Sequence, residues 1–199
     1  MLKEQAEKYT QEKDLLLAFD PGRDKTGYAF TDLFGELILS GIFETGEREN
    51  FFDGLKFGRI DNVIEKNLEL FPSGLLEIKS ACLPEHEEVT ADNDKNILSH
   101  VKFIAIGNGT NSRNFVEHVK NFCDKIECVI FSERPEVIIV DEKNTTLEAR
   151  SLYWKIHKPG FLMKFIPEGL RVPARVLDDL AAWAIALRAV KKYRDISAN

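Results

Sequence analysis

Residues 15–30 read LLLAFDPGRDKTGYAF, and this stretch decides the fold class. An apolar run ends at Asp20, the following Pro-Gly predicts a tight turn, and a second β-prone run begins at Lys25. A third run covers residues 36–43, and the Asp-Leu-Phe-Gly at 32–35 fits a hairpin connection. The chain therefore opens with three sequential antiparallel strands.

Downstream, strand patterns alternate with helix patterns. Apolar runs at 102–107 and 137–140 predict two more strands, with a helix over 111–123 between them. Further helices are predicted over 175–193 and from Thr145, where a Thr-x-x-Glu pattern fits a capping box. Antiparallel strands followed by β-α-β units predict an α/β fold with a mixed five-stranded sheet and helices on both faces.

The stretch from 44 to 100 has the least regular pattern. Part of it carries apolar residues whose spacing predicts one or two amphipathic helices. These residues are Phe51, Phe52, Leu55, Ile60, Val63, Ile64, Leu68 and Phe71. We interpret the chain as a single domain over 1–199, with a polar N-terminal arm at 1–14 and an atypical insert within about 44–100.

Composition limits the classes of function. The chain has 199 residues, of which 44% are hydrophobic and 30% charged, and its formal net charge is −6. Such an acidic chain does not coat nucleic acid by bulk charge, although a nuclease needs only a local basic patch. Cys82, Cys123 and Cys128 do not resemble a disulfide framework, and neither a signal peptide nor a membrane-spanning run is visible. We therefore expect a cytoplasmic protein without membrane contact. We also expect a monomer or a homodimer.

Acidic residues recur where predicted strands end and where the last helix begins. Asp20 ends the first strand, Glu142 follows the strand at 137–140, and Asp178 and Asp179 open the last helix. Ligands of open sheets gather beyond the carboxyl ends of the strands, so these acids can meet at one edge. Their mutual repulsion is relieved by a divalent cation, and oxygen ligands favour Mg²⁺ or Mn²⁺. Taken singly, each acid also fits a turn, an exposed strand end or a helix N-cap.

Several other residues are candidates for contact with a nucleic-acid backbone. They are Arg23, Lys25, Asn108, Thr110, Arg113, Lys143, Thr145, Lys155, Lys158 and Lys164. The Gly-Asn-Gly-Thr turn at 107–110 either receives a phosphate or provides a tight strand–helix connection. Segment 151–175 carries five Lys and Arg residues against one acid, with aromatic residues between them. This pattern suits backbone contact and base stacking, whereas Tyr153 and Trp154 are expected to pack in the core.

Four motifs together resemble one family. DPGRDKTGYAF (20–30), IAIGNGT (104–110), VDEKNTTLEAR (140–150) and LDDLAAWAI (177–185) occur in the order found in the YqgF/RuvX family. That family contains Holliday-junction-resolvase-like nucleases and nucleases that process precursor 16S rRNA. The resemblance covers most of the chain outside the arm and the insert, and it implies a ribonuclease-H-like fold.

The resemblance also implies a function. It assigns Asp20, Glu142 and Asp178 as metal-binding catalytic acids and makes Asp179 a further catalytic candidate. The implied activity is endonucleolytic hydrolysis of structured nucleic acid, either Holliday-junction-like DNA or precursor 16S rRNA, with two Mg²⁺ or Mn²⁺ ions. Lys143 stands where the family usually has arginine, and it lacks the bidentate fork of that residue.

Two alternatives remain open. The segment GNGTNSR at 107–113 resembles the corresponding domain of the Tex transcription-accessory proteins, so the first alternative is a non-catalytic nucleic-acid-binding module. An actin-like phosphotransferase shares a similar first-strand motif. It would require a second phosphate loop and a second subdomain, for which 199 residues leave little room.

Overall fold

The computed structural model describes residues 14–60, 62–67, 77–78, 97–109, 111–126, 131, 133–167 and 170–197. Most of the predicted N-terminal arm and much of the predicted insert lie outside these ranges. The strands are β1 (Leu15–Pro21), β2 (Lys25–Asp32), β3 (Leu37–Glu44), β4 (Arg59–Ile60), β5 (Val63–Lys66), β6 (Glu77–Ile78), β7 (Val101–Gly107) and β8 (Glu136–Val140). The α-helices are α1 (Arg48–Lys56), α2 (Ser112–Ile126), α3 (Thr145–Ile156) and α4 (Asp178–Ser197). Short 3-10 helices cover Thr45–Glu47, Ile97–His100 and Leu162–Phe165.

Six strands form one mixed sheet in the order β5-β3-β2-β1-β7-β8. The strands from β5 to β1 pair antiparallel, and β7 and β8 continue the sheet in parallel on the other side of β1. The prediction of an α/β fold with a mixed sheet and three antiparallel N-terminal strands is therefore confirmed. A separate two-stranded parallel sheet joins β4 and β6.

The predicted number of five strands is wrong, because β5 adds a sixth at the edge next to β3. A helix was expected to continue through this region. Asn62 instead adopts a positive φ of 60°, a left-handed conformation that a continuous helix does not contain. The β-branched Val63 and Ile64 that follow favour a strand, since their stiff side chains fit a pleated surface.

Helices cover both faces of the sheet, as predicted. Residues alternate in direction along β1, so Phe19 packs with Phe115 of α2 on one face. On the opposite face, Ala18 and Ala105 pack with Ala186 of α4. The small side chains on this second face let α4 lie close to the sheet.

The N-terminus of helix α3 is capped differently from the prediction. Helix α3 begins at Thr145 as expected, but its N-cap is Asn144, which has a φ of 71° and makes no side-chain capping hydrogen bond. The predicted capping box is therefore wrong. The Thr145 hydroxyl donates instead to the carbonyl of Glu142 at 2.8 Å.

Gly27 sets how closely α4 approaches the sheet. It pairs with Asp20 across β1 and β2. A Cβ atom at Gly27 would overlap the backbone carbonyl of Asp178 and would lie 2.8 Å from the backbone nitrogen of Asp179. The first turn of α4 therefore rests on β2 at the level of Asp20, and this packing requires glycine.

We expect Gly27→Ala to lower the free energy of unfolding by about 1–3 kcal/mol, because the added methyl group pushes the backbone of α4 off the sheet. Gly46→Ala is the matched control, since a Cβ atom at Gly46 meets nothing within 4 Å. Its effect should stay within about 0.5 kcal/mol. Urea denaturation followed by circular dichroism measures both variants. Equal stabilities of the two would contradict this packing.

No helix among the residues described is long and apolar enough to cross a membrane.

Candidate functional site

Asp20 lies near the end of β1, between β2 and β7. It pairs with Gly27 on one side. On the other side Phe19 pairs with Ile106, so Gly107 follows next to Asp20. Side chains two residues apart on a strand share a face, and Asp20 therefore points to the same face as Ala18, which is the face that α4 covers.

Glu142 reaches this place from the end of β8. Gly107 pairs with Val140, the last residue of β8, and Glu142 follows two residues later. A Cβ atom at Gly107 would lie 2.8 Å from Glu142 Oε2, and one at Gly109 would lie 2.6 Å from the same oxygen. The Glu142 carboxylate thus packs over two glycines at the end of the strand that neighbours Asp20.

The backbone of Glu142 is held by two residues that were predicted to bind substrate. The Asn108 N–H donates to the carbonyl of Val140 at 3.0 Å, and its Oδ1 accepts the Glu142 N–H at 3.1 Å. The Thr145 hydroxyl donates to the Glu142 carbonyl at 2.8 Å. In this structure, Asn108 and Thr145 therefore position Glu142.

Arg188 of α4 fixes the same turn and was missed by the sequence analysis. Its guanidinium donates to the carbonyls of Asp141 and Lys143, the latter at 2.7 Å. It also reaches both carboxylate oxygens of Glu148, at 3.2 and 2.7 Å. The available signal was that Arg188 is the one charged residue in the stretch 180–190.

The position of Asp178 is set by Gly27, against which its backbone carbonyl packs. Burial, and then the neighbouring charge of Asp179, raise the pKa of the Asp178 carboxyl, whereas Lys25 acts in the opposite direction. Lys25, predicted as a substrate contact, is exposed and lies within electrostatic reach of Asp178.

Asp20 links these carboxylates. Burial raises its pKa to about 7, with further contributions from the charges of Glu142 and then Asp178. The charges of Glu142 and Asp178 thus both act on Asp20, and we call Asp20, Glu142 and Asp178 the acidic cluster. Within the described part of the chain, no group of three His, Cys, Asp or Glu side chains is already arranged to hold a metal ion. Cation binding would therefore require the side chains of the cluster to converge further.

Asp179 has a different environment from the one expected of a catalytic acid. It is fully buried, and its carboxylate accepts hydrogen bonds from Arg175 at 2.6 and 3.0 Å and from the hydroxyl of Ser40 at 2.9 Å. Both of its oxygens are thus engaged by protein groups. In this structure Asp179 therefore has a structural role at the start of α4, and its catalytic role stays a prediction.

The remaining predicted substrate contacts fall into two groups. Those whose side chains are described are exposed at the surface: Arg23, Lys25, Arg113, Lys143, Lys155 and Lys158. Thr110 and the side chain of Lys164 lie outside the described residues. As expected, Tyr153 is buried, and Trp154 packs with it against the start of α4.

Family models and curated proteins do not assign a function to the acidic cluster. No family model matches the chain, and no curated protein matches it. The likeness to the YqgF/RuvX family therefore rests on the motifs quoted above, and function has to be argued from the site.

The raised pKa of Asp20 predicts a pH dependence of stability. The folded carboxyl has a pKa of about 7, whereas the unfolded one titrates near roughly 4. Between these values the folded protein holds a proton that the unfolded chain lacks, so stability is lost as the pH rises from about 4 to 7. In EDTA at pH 8, Asp20→Asn should therefore be more stable than wild type by about 2–4 kcal/mol.

This difference should shrink as the pH is lowered toward 4, because wild-type Asp20 is then neutral as well. Urea denaturation at a series of pH values measures it. A difference that stays constant between pH 4 and pH 8 would contradict the raised pKa of Asp20.

The structural role of Asp179 is tested through Arg175. Arg175→Ala leaves a buried carboxylate without its charge partner, and we expect a loss of about 3 kcal/mol in the free energy of unfolding. Arg23→Ala removes an exposed arginine and should change stability by less than about 0.5 kcal/mol. Thermal and urea unfolding compare the two variants. Similar stabilities would show that the Arg175–Asp179 pair contributes little.

Proposed function

We propose that the protein is a metal-dependent nuclease that hydrolyses phosphodiester bonds in structured nucleic acid, such as Holliday-junction-like DNA or precursor 16S rRNA. The acidic cluster carries this proposal. It joins carboxylates from β1, from the turn after β8 and from the first residue of α4, and each influence that shifts the pKa of Asp20 raises it. Coupled carboxylates of this kind are typical of functional sites.

The order of the strands supports the ribonuclease-H-like fold that the motifs imply. Three antiparallel strands are followed by parallel β7 and β8, and helices cover both faces. The acidic cluster lies at the carboxyl ends of β1 and β8, which is where ligands of such sheets bind.

The donor chemistry of the cluster suits Mg²⁺ or Mn²⁺, since all three side chains offer carboxylate oxygens. Asp20, Glu142 and Asp178 would hold the metal. When bound, the metal would supply a lowered pKa for the attacking water and charge stabilisation for the leaving oxygen. Asp20 would be the central ligand, because Gly27 with Asp178 lies on one side of it and Gly107 with Glu142 on the other.

Cations of the chain flank the acidic cluster and are suited to bind the substrate backbone. Lys25 lies within electrostatic reach of Asp178. Lys143 follows Glu142 in the chain, and Arg188 holds its backbone carbonyl. Both lysines are exposed, and their ammonium groups are suited to pair with phosphate oxygens. Their role is to orient the scissile phosphate at the carboxylates.

Arg23 and Arg113 extend this basic surface. The side-chain amide of Asn111 donates to the carbonyl of Gly22 at 3.3 Å and so ties the turn after β1 to the start of α2. This contact brings the segments that carry Arg23 and Arg113 together. Both arginines are exposed, and we assign them contacts with phosphates beyond the scissile one.

A non-catalytic nucleic-acid-binding module, as in the Tex-type proteins, is the second candidate. One observation favours it: the described carboxylates do not form a ready metal-binding group. Such a module would use the same basic surface without cutting the strand.

Cleavage assays separate the two candidates. Wild-type protein should cut a labelled four-way DNA junction or a structured precursor rRNA with Mn²⁺ or Mg²⁺, and EDTA should abolish the activity. Asp20→Asn should reduce cleavage to background, because the acid between the other two is lost. Asp24→Asn is the matched control, since it neutralises an exposed acid four residues away and should leave cleavage unchanged.

Equal cleavage by wild type and Asp20→Asn would point to a contaminating nuclease and would overturn the proposal. Binding of the same substrates by both proteins without cleavage would favour the non-catalytic module.

A further inference from the structure

The connection between α3 and α4 carries an exposed apolar surface. Phe161, Phe165, Leu170 and Val172 are exposed by 76, 74, 72 and 79%, respectively, and we call these four residues the apolar patch. No other large hydrophobic side chain among the residues described exceeds 60% exposure. Exposed apolar side chains are typical of a binding surface where they are contiguous, as Phe161 and Phe165 are.

Both ends of this connection are attached to one carboxylate. Glu65 Oε1 on β5 lies 2.7 Å from His157 Nε2 and 3.3 Å from Arg175 Nη2. Arg175 also pairs with the buried Asp179. These contacts hold both ends of the connection at the sheet, and the segment that carries the apolar patch lies between them.

The two phenylalanines suit a planar partner. Their rings meet edge to face, with centroids 5.6 Å apart and an interplanar angle of 83°. Since both Phe161 and Phe165 remain about three-quarters exposed, each ring still offers an open face. Aromatic faces stack on nucleic-acid bases of any sequence, provided that the bases are unpaired.

Cations accompany the apolar patch. Lys155 and Lys158 are exposed just before it, and the guanidinium of Arg171 lies 6.0 Å from the ring centre of Trp154. Apart from Arg175, which pairs with Glu65 and Asp179, segment 151–175 carries four Lys and Arg residues against one acid in a chain whose net charge is −6. This charge favours a polyanion over a neutral protein surface as the partner.

The patch is also close in sequence to the acidic cluster, since Val172 precedes Asp178 by six residues. We propose that the apolar patch binds unpaired nucleotides of the substrate, with bases on Phe161 and Phe165 and phosphates beside Lys155 and Lys158. This inference rests on the proposed function in taking a nucleic acid as the partner. It specifies the substrate class as nucleic acid with a single-stranded stretch.

Binding in EDTA tests the inference without cleavage. Fluorescence anisotropy compares a labelled single-stranded oligonucleotide with a duplex of the same sequence. The double variant Phe161→Ala/Phe165→Ala should bind the single strand at least about 30-fold more weakly and the duplex as well as wild type does. Phe57→Ala is the matched control, because it removes a 47% exposed ring outside this segment, and its binding should be unchanged.

Phe161→Trp gives a second readout that does not depend on a loss of binding. A stacked base should quench the added indole fluorescence when the single strand binds, while the affinity stays near that of wild type. Unchanged single-strand affinity of the double alanine variant, or no added quenching at position 161, would overturn the inference.

The outcomes for this inference and for the proposed function are distinguishable. Phenylalanine-dependent binding without any metal-dependent cleavage would remove the nuclease proposal and leave the inference standing. Metal-dependent cleavage with phenylalanine-independent binding would do the reverse. Self-association in sedimentation velocity that the double alanine variant abolishes would assign the apolar patch to a dimer interface and would also overturn the inference.

Discussion

The packing of the first turn of α4 on Gly27 is the contact on which the rest of the site depends. A side chain at this position would overlap the carbonyl of Asp178, so the close approach exists only because the β2 partner of Asp20 is glycine. The small side chains of Ala18 and Ala105 also allow α4 to pack closely on the sheet. The placement of α4 thereby brings Asp178 near Asp20, buries Asp179 and brings Arg188 to the turn that contains Glu142.

The acidic cluster is assembled against its own repulsion. The fold accepts a carboxyl whose pKa is raised to about 7, and other contacts stabilise the backbone that presents it. Arg188 binds two carbonyls of the turn after β8, while Asn108 holds the Glu142 N–H and the Val140 carbonyl. Hydrogen bonds around the acidic cluster thus offset the unfavourable burial and repulsion within it. A bound cation would remove the remaining repulsion.

The sequence indicates much of this arrangement because strand ends are visible in it. Apolar runs stop at Asp20 and just before Glu142, and parallel pairing brings such ends to one edge. Sequence cannot separate Asp178 from Asp179, because which one faces Arg175 depends on how α4 is rotated over Gly27. The spacing of Val63 and Ile64 fits a helix as well as a strand, and pairing with β3 decides between them. Arg188 was missed since the backbone carbonyls that it binds lie 45 and 47 residues away in the chain.

The central claim is that Asp20, Glu142 and Asp178 form one divalent-cation site. A crystal structure of the protein with Mn²⁺, with the metal located by its anomalous scattering, tests this claim most directly. We expect anomalous density between the three carboxylates, with Asp20 as a ligand, and none at the buried Asp179. Carboxylates that remain unliganded at saturating Mn²⁺, or manganese bound only elsewhere on the protein, would contradict the account.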